Sequence, residues 1–124
     1  MSACRLSALA PLLLLTASPS AAQPAAQVIN LSSFAYSPQP IQLRAGQPVT
    51  LTFVNRSTSG HDFTAPNFFA NARIVSGTAP DGEVELRGVE TKSITLVPRA
   101  GTYGVHCSHF LHKQMGMRTR IYVR

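Results

Sequence analysis

The segment from Cys107 to Met117 holds the side chains of this sequence that are best suited to chemistry. Within eleven residues it contains one thiol, two imidazoles and two thioethers, which belong to Cys107, His109, His112, Met115 and Met117. Thiolate, imidazole and thioether groups suit copper in both of its oxidation states, and two His, one Cys and a weakly bound Met form the blue-copper ligand set. The segment therefore predicts most of a copper site, with a second imidazole to come from elsewhere.

The second imidazole is expected to be His61, the only histidine far away in the sequence. It follows a predicted strand and a Ser-Gly turn. His106 is disfavoured by strand phase, because Tyr103, Val105 and Cys107 alternate along one face of an extended segment and His106 lies on the other. His109, two residues after the cysteine, competes with His112, and the choice between Met115 and Met117 is open from spacing alone.

The use of cysteine supports a metal-binding role for Cys107. The only other cysteine, Cys4, lies within an N-terminal segment that resembles a signal peptide. A lone thiol in an exported protein is a chemical liability, so either it is buried and inert or it has a specific role such as metal ligation. The neighbouring His and Met residues favour ligation.

The first 22 residues are predicted to be a signal peptide, and residues 23–124 the mature domain. Arg5 provides a positive start, Leu6–Ala17 is an apolar run, and Ser20–Ala22 offers the small residues that a signal peptidase needs. The apolar run is shorter than the roughly 20 residues of a membrane-spanning helix, although an uncleaved anchor is an alternative. We therefore expect export to the periplasm, with no membrane span left after cleavage.

The chain carries 11 basic and five acidic residues, a formal net charge of +6. The basic residues are scattered, and no nucleic-acid-binding motif accompanies them. We therefore expect no nucleic-acid partner, but attraction to an acidic redox partner protein or to an anionic membrane surface. We expect the protein itself to be a monomer.

Short alternating apolar runs predict strands along most of the mature chain. Val49, Leu51 and Phe53 alternate with threonines, and similar patterns occur in Glu83–Leu86 and Ser93–Leu96. Seven or eight such strands, separated by turn residues, predict an all-β fold, a single Greek-key β-sandwich.

One segment departs from the strand pattern. Pro66–Ser76 is predicted to hold one or two helical turns, with Asn67 available as the N-cap. Phe68 and Phe69 are expected to lie in the core. Phe110 and Leu111, beside His112, could either form an exposed apolar docking patch or fold inward.

These motifs resemble the cupredoxin family of blue copper proteins. Tyr103–Cys107 entering a loop, followed by His112–Met117, is similar to the end of pseudoazurin-like and plastocyanin-like proteins, and the C-x4-H-x4-M spacing is similar to that of rusticyanin and auracyanin. Ile41–Asn55 resembles the early strands of the family, and Ser59–His61 resembles the approach to its first His ligand. The resemblance extends over about Val28–Val123.

The resemblance implies one type 1 copper ion held by His61, Cys107, His112 and Met117, with Met117 as the weak axial ligand. One residue departs from the family pattern: where blue copper proteins often have an Asn that ties the ligand loops together, this sequence has Asp62. A carboxylate there would lower the reduction potential or take another role around the metal ligands.

The implied function is one-electron transfer, with the copper ion cycling between Cu(I) and Cu(II). A copper carrier or storage protein without redox turnover is the alternative, since it could use the same ligands. An enzyme is not expected, because multicopper oxidases place His on both sides of this cysteine and use His-x-His pairs, whereas Ser108 follows Cys107 and the sequence contains no His-x-His.

Overall fold

Ten strands, one short helix and one 3-10 turn make up the secondary structure of the computed structural model, which describes residues 1–5, 7–18, 23–112 and 114–124. The strands are β1 (Ala25–Ser32), β2 (Ala35–Ser37), β3 (Ile41–Leu43), β4 (Val49–Asn55), β5 (His61–Thr64), β6 (Arg73–Ser76), β7 (Glu83–Leu86), β8 (Thr91–Val97), β9 (Gly101–His106) and β10 (Arg118–Val123). Helix α1 spans Pro66–Asn71, and the 3-10 turn spans Pro80–Gly82.

The strands form two five-stranded sheets that enclose one core. The first sheet has the order β2-β1-β4-β8-β6, and the second has the order β3-β10-β9-β5-β7. The pairs β1–β4 and β3–β10 are parallel, whereas the other pairs are antiparallel. The predicted all-β sandwich is confirmed, with more strands than the seven or eight expected. The additional strands are β2, whose three residues are too few for an alternating pattern to reveal, and β6, which lies in the segment predicted to be helical.

Strand β4 illustrates how the alternating sequence produces the sandwich. Its side chains alternate between buried and half-buried, so that Leu51 and Phe53 face the core. On the other face, Thr50 forms a 2.8 Å hydrogen bond with Thr95 of β8. Such cross-strand pairs add to the backbone ladder and fix the register of the sheet.

Aromatic side chains join the two sheets beneath the site described below. Phe53 of the first sheet and Phe63 of the second have ring centroids 4.8 Å apart, and Tyr36 meets Phe63 edge-to-face at 5.7 Å. Phe68 and Phe69 of α1 are buried, which confirms their expected place in the core. Phe63 lies on β5 two residues after His61, so this packing anchors the strand that carries the first candidate ligand.

The predicted helix is shorter than the segment Pro66–Ser76, and its N-cap is not Asn67. Pro66 takes the first helical position, which suits its fixed φ, and the preceding Ala65 stands at the cap without a side-chain bond. Asn67 therefore lies inside the helix. After Asn71 the chain becomes strand β6, because the β-branched residues there pair with β8.

The first regular element begins at Ala25, and the apolar run Leu12–Leu15 is exposed to solvent. The predicted cleavage site at Ser20–Ala22 lies outside the described residues, so signal cleavage stays a prediction. In the described part of the chain, no helix has the length and hydrophobicity needed to cross a membrane.

Candidate metal centre

The two distant parts of the candidate site are brought together at one end of the second sheet. His61 is the first residue of β5, and Cys107 directly follows β9. The loop before β5 is held by the buried Asn55, whose side-chain amide donates to the carbonyls of Ser59 at 2.8 Å and Arg87 at 2.9 Å. These bonds fix the turn that delivers His61 to the end of the strand.

Three of the four predicted ligands converge on one point. The Nδ1 atoms of His61 and His112 are 3.2 Å apart, and the Sγ atom of Cys107 is 3.4 Å from Nδ1 of His112. His61 and Cys107 are buried, and His112 is half-buried. The arrangement can therefore offer two imidazole nitrogens and one sulfur to a single ion while keeping one imidazole close to the surface.

The spacing of these three donors fits a transition-metal ion. Imidazole nitrogen and thiolate sulfur bind such an ion at about 2.0–2.3 Å, so three donors in a trigonal plane lie roughly 3.5 Å from one another. The separations of 3.2 and 3.4 Å are close to that value. With Nδ1 as the donor, the proton of the neutral His61 ring resides on Nε2, which is buried and has no hydrogen-bond partner among the described residues.

Burial favours Met117 over Met115 as the thioether. Met117 is fully buried, whereas 58% of Met115 is exposed. The backbone ties Met117 to two of the other candidates: its N–H donates to the carbonyl of His112 at 2.9 Å, and its carbonyl accepts from the N–H of Cys107 at 3.1 Å. These bonds close the loop at its base and hold Met117 beside the cluster.

The remaining histidines have different surroundings. His106 is half-buried, while Tyr103, Val105 and Cys107 are buried, as the strand phase predicted. His109 is closer to the cluster: its ring stacks on that of His112, with centroids 5.4 Å apart, and its Nε2 lies 2.9 Å from a carboxylate oxygen of Glu85.

A second group of possible donors overlaps the first. Asp62, Cys107 and His109 also bring ligand atoms within 4.8 Å of one another. Distance alone therefore leaves His109 as a competitor of His112. The two histidines differ in their contacts. Nε2 of His109 is hydrogen-bonded to Glu85, whereas Nδ1 of His112 lies beside Nδ1 of His61 and Sγ of Cys107.

The protonation of the cluster follows from its burial. Burial raises the pKa of the Cys107 thiol, although the backbone N–H groups of Asp62 and His109 hydrogen-bond to the sulfur and act in the opposite direction. Burial, together with the nearby His112 and His109, lowers the pKa of His61. The lowered pKa favours the neutral imidazole, which is the form that binds a metal, and binding at Cys107 must displace the thiol proton.

Asp62 connects the two segments that carry the candidate ligands. Its carboxylate is completely buried, and Oδ1 accepts hydrogen bonds from the backbone N–H of Ser108 at 2.9 Å and from the hydroxyl of Thr64 at 2.7 Å. Oδ2 accepts from the hydroxyl of Ser108. The residue after His61 is thereby tied to the residue after Cys107.

Sequence reasoning missed three contacts around this site. Ser108 is a partner of Asp62, Glu85 is a partner of His109, and Phe34 packs edge-to-face on His112 with ring centroids 5.2 Å apart. Alternation along β7 placed Glu85 on the outer face, but nothing in the sequence indicated which strand is its neighbour. The cross-strand pairing of Asp62 with Glu85 is a property of the sheet order.

The loop that carries His112 also exposes three apolar side chains. Phe110, Leu111 and Met115 are 88%, 47% and 58% exposed. The sequence left open whether Phe110 and Leu111 fold inward, and in the structure both are exposed. Apolar side chains gathered in one loop form a patch of the kind that other molecules contact.

The comparisons with known proteins agree with this fold. The model of the Cupredoxin-like domain matches residues 5–121. Among solved structures, auracyanin B is similar with a TM-score of 0.62 and 21% identity, over 84% of this chain and 92% of that one. Dithionite-reduced auracyanin from Roseiflexus castenholzii is similar with a TM-score of 0.60 and 20% identity, over 84% and 99%. Comparison with curated protein sequences found no significant match. Because the family model extends over nearly the whole sequence, this chain belongs to the cupredoxin family.

Proposed function

We propose that this protein is an exported one-electron carrier that holds one copper ion with His61, Cys107, His112 and Met117. The observation that carries the proposal is the convergence of two Nδ1 atoms and one Sγ at 3.2 and 3.4 Å in a largely buried cluster. A thiolate, two imidazoles and a thioether are a donor set that favours copper over harder ions.

When bound, copper supplies a one-electron couple between Cu(I) and Cu(II). The residues contribute a nearly fixed set of donors, because His61 begins a strand, Cys107 directly follows one, and Asp62 links the two positions. Rigid donors that change little between oxidation states keep the reorganisation on electron transfer small. We therefore propose redox turnover, and not storage, as the main role.

His112 is the group best placed for electron exchange. It is the half-buried member of the cluster, and the exposed side chains of Phe110, Leu111 and Met115 lie in the same loop. A partner that contacts this patch approaches the imidazole edge without opening the site to water. The proposal includes no catalytic reaction of the protein's own, and it includes export to the periplasm, which rests on the N-terminal sequence.

The visible spectrum of the copper-loaded protein tests the proposal. We expect an intense charge-transfer band from a Cys107–Cu(II) bond. Colourless, readily exchanged copper would instead favour the carrier function.

The same spectrum distinguishes the histidines. His61→Ala is expected to abolish the band, whereas His109→Ala is expected to retain it, because His109 is held by Glu85. If His61→Ala kept the spectrum while His109→Ala removed it, the assignment of His61 would be wrong.

Replacing the buried thioether should change the potential more than the colour. Met117→Leu removes a weak donor that stabilises Cu(II), so we expect copper and the band to be retained and the reduction potential to rise. Met115→Leu is the matched control, because that side chain is largely exposed. Voltammetry of both variants is the measurement. A shift with Met115→Leu and none with Met117→Leu would show that Met115, and not Met117, is the thioether ligand.

A further inference from the structure

A groove of about 730 Å³ crosses the outer face of the second sheet, and Phe110, Leu111 and Met115 are not among the residues that line it. Among the residues that line it are Pro40, Asn67, His106, Arg118, Arg120 and Tyr122. We call it the β9–β10 groove. Its position on the face opposite to the core makes it a surface that the proposed metal site does not use.

The register of β9 and β10 arranges the charges in this groove. Arg118 and Arg120 are exposed and lie on the same face of β10, and they stand opposite His106 and Gly104 of β9. Alternate residues of a strand are about 6.6–6.8 Å apart. The groove therefore presents two guanidinium groups with the spacing of alternate residues in an extended peptide.

No acidic residue of the chain shares this part of the sheet. All five Asp and Glu side chains occur between residues 62 and 90, in β5, the 3-10 turn, β7 and the turn after it. In the sheet order β3-β10-β9-β5-β7, those strands form the opposite edge. Among the described residues, neither Arg118 nor Arg120 forms a salt bridge. Their charges are thus available to a binding partner.

Gly104 keeps the middle of the groove open. It is exposed and pairs with Arg120, and a Cβ atom built on it would meet nothing within 4 Å. A side chain larger than hydrogen would therefore occupy the floor of the groove without disturbing the core. The absence of a side chain at this point leaves room beside the guanidinium of Arg120.

We propose that the β9–β10 groove binds an extended acidic segment of a partner protein, with carboxylates on alternate residues paired to Arg118 and Arg120. Arginine suits this role, because its planar guanidinium can donate two parallel hydrogen bonds to one carboxylate. Tyr122 continues the same face of β10, and the guanidinium of Arg124 lies over its ring at 5.7 Å from the centroid, which adds a positive charge at this end of the groove. The proposal goes beyond the electron-transfer function and does not depend on it.

A protein segment fits the groove better than a membrane surface does. The groove is concave, with Pro40 on one side and Asn67 of α1 on the other, whereas a bilayer meets a flat or convex surface. Side chains that insert into lipid are apolar. The exposed Phe110 and Leu111 belong to the loop after Cys107 and do not line this groove.

Binding of a labelled Glu-Thr-Glu-Thr-Glu peptide to the copper-loaded protein, followed by fluorescence anisotropy at low salt, tests the proposal. We expect the Kd to rise about ten-fold in Arg118→Gln/Arg120→Gln, which loses two charge-assisted contacts. The control Arg73→Gln/Arg99→Gln removes the same charge from exposed positions elsewhere. It is expected to change Kd by less than about two-fold, since distant charges are screened. Equal losses in the two double variants would show general attraction and overturn the proposal.

A second variant tests the groove without changing the charge. Gly104→Thr places a β-compatible side chain in the open floor, so we expect the melting temperature to be retained and peptide binding to fall about ten-fold. Unchanged peptide binding in this variant would overturn the proposal. A second outcome would also overturn the proposal: the peptide does not bind, but phosphatidylserine vesicles bind in a way that depends on Arg118 and Arg120. The groove would then face a membrane.

Discussion

Replacement of Cys107 by serine is expected to remove the intense visible absorption of the copper-loaded protein and to end its electron exchange. The hydroxyl of serine does not ionise at neutral pH as a metal-bound thiol does, and it lacks the soft sulfur on which the charge-transfer band depends. His61 and His112 remain close together in the variant and can still hold a metal weakly. The expected result is therefore loss of the band and of electron exchange with a small redox mediator, with residual copper binding.

The change from sulfur to oxygen is small, so the fold should persist. Cys107 is buried at the end of β9, and its N–H bond to the carbonyl of Met117 does not involve the side chain. The melting temperature of the copper-free variant, compared with that of the copper-free wild type, is the control. A Cys107→Ser variant that exchanged electrons at the wild-type rate would contradict the proposed function, as would a colourless Cu(II) form of the wild type.

The sequence was most informative where local spacing determines geometry. The phase of Tyr103, Val105 and Cys107 was read correctly, because alternation along one strand needs no knowledge of its neighbours. The ligand loop was also visible as a dense run of soft side chains. His61 was inferred because the other histidines are close to Cys107 in the chain, and the structure does bring it to within 3.2 Å of His112.

What the sequence did not provide was the order of the strands. The parallel pairing of β1 with β4 is set by contacts between distant segments, and so is the position of β7 beside β5. Without that order, the contact of His109 with Glu85 could not be predicted. For the same reason, the sequence did not show that the arginines of β10 and the carboxylates of β5 and β7 lie towards opposite edges of the second sheet. In the linear sequence the arginines are scattered.

Local rules failed in the segment after β5. Asn67 is a strong capping residue by type, but Pro66 before it is equally strong at the first helical position, and the two preferences cannot both be met. The helix follows the preference of proline, and the residue at its cap, Ala65, is buried directly after β5. The helix thus starts soon after strand β5 ends. The position of the strand limits where the helix can begin, and local propensity selects among those positions.

Asp62→Ala is expected to lower the free energy of unfolding by about 2–4 kcal/mol, because it removes a buried acceptor of three hydrogen bonds. Ser108 would lose two of those bonds and Thr64 one, and the loop after Cys107 would lose its link to β5. Chemical denaturation measures the free energy of unfolding. The rate of copper transfer to a chelator measures how firmly the loop retains the metal, and we expect this rate to increase.

Asp62→Asn is the matched control that separates the geometry of this link from its charge. The amide oxygen can accept from the N–H of Ser108 and the hydroxyl of Thr64, and the amide nitrogen can donate to the hydroxyl of Ser108. We therefore expect stability to change by less than about 1 kcal/mol. The reduction potential should rise, because a buried negative charge next to Cys107 favours Cu(II) over Cu(I). If the alanine variant were as stable and as slow to release copper as the asparagine variant, the carboxylate would not be the link between the ligand segments. If the asparagine variant kept the wild-type potential, the charge of Asp62 would have no influence on the metal.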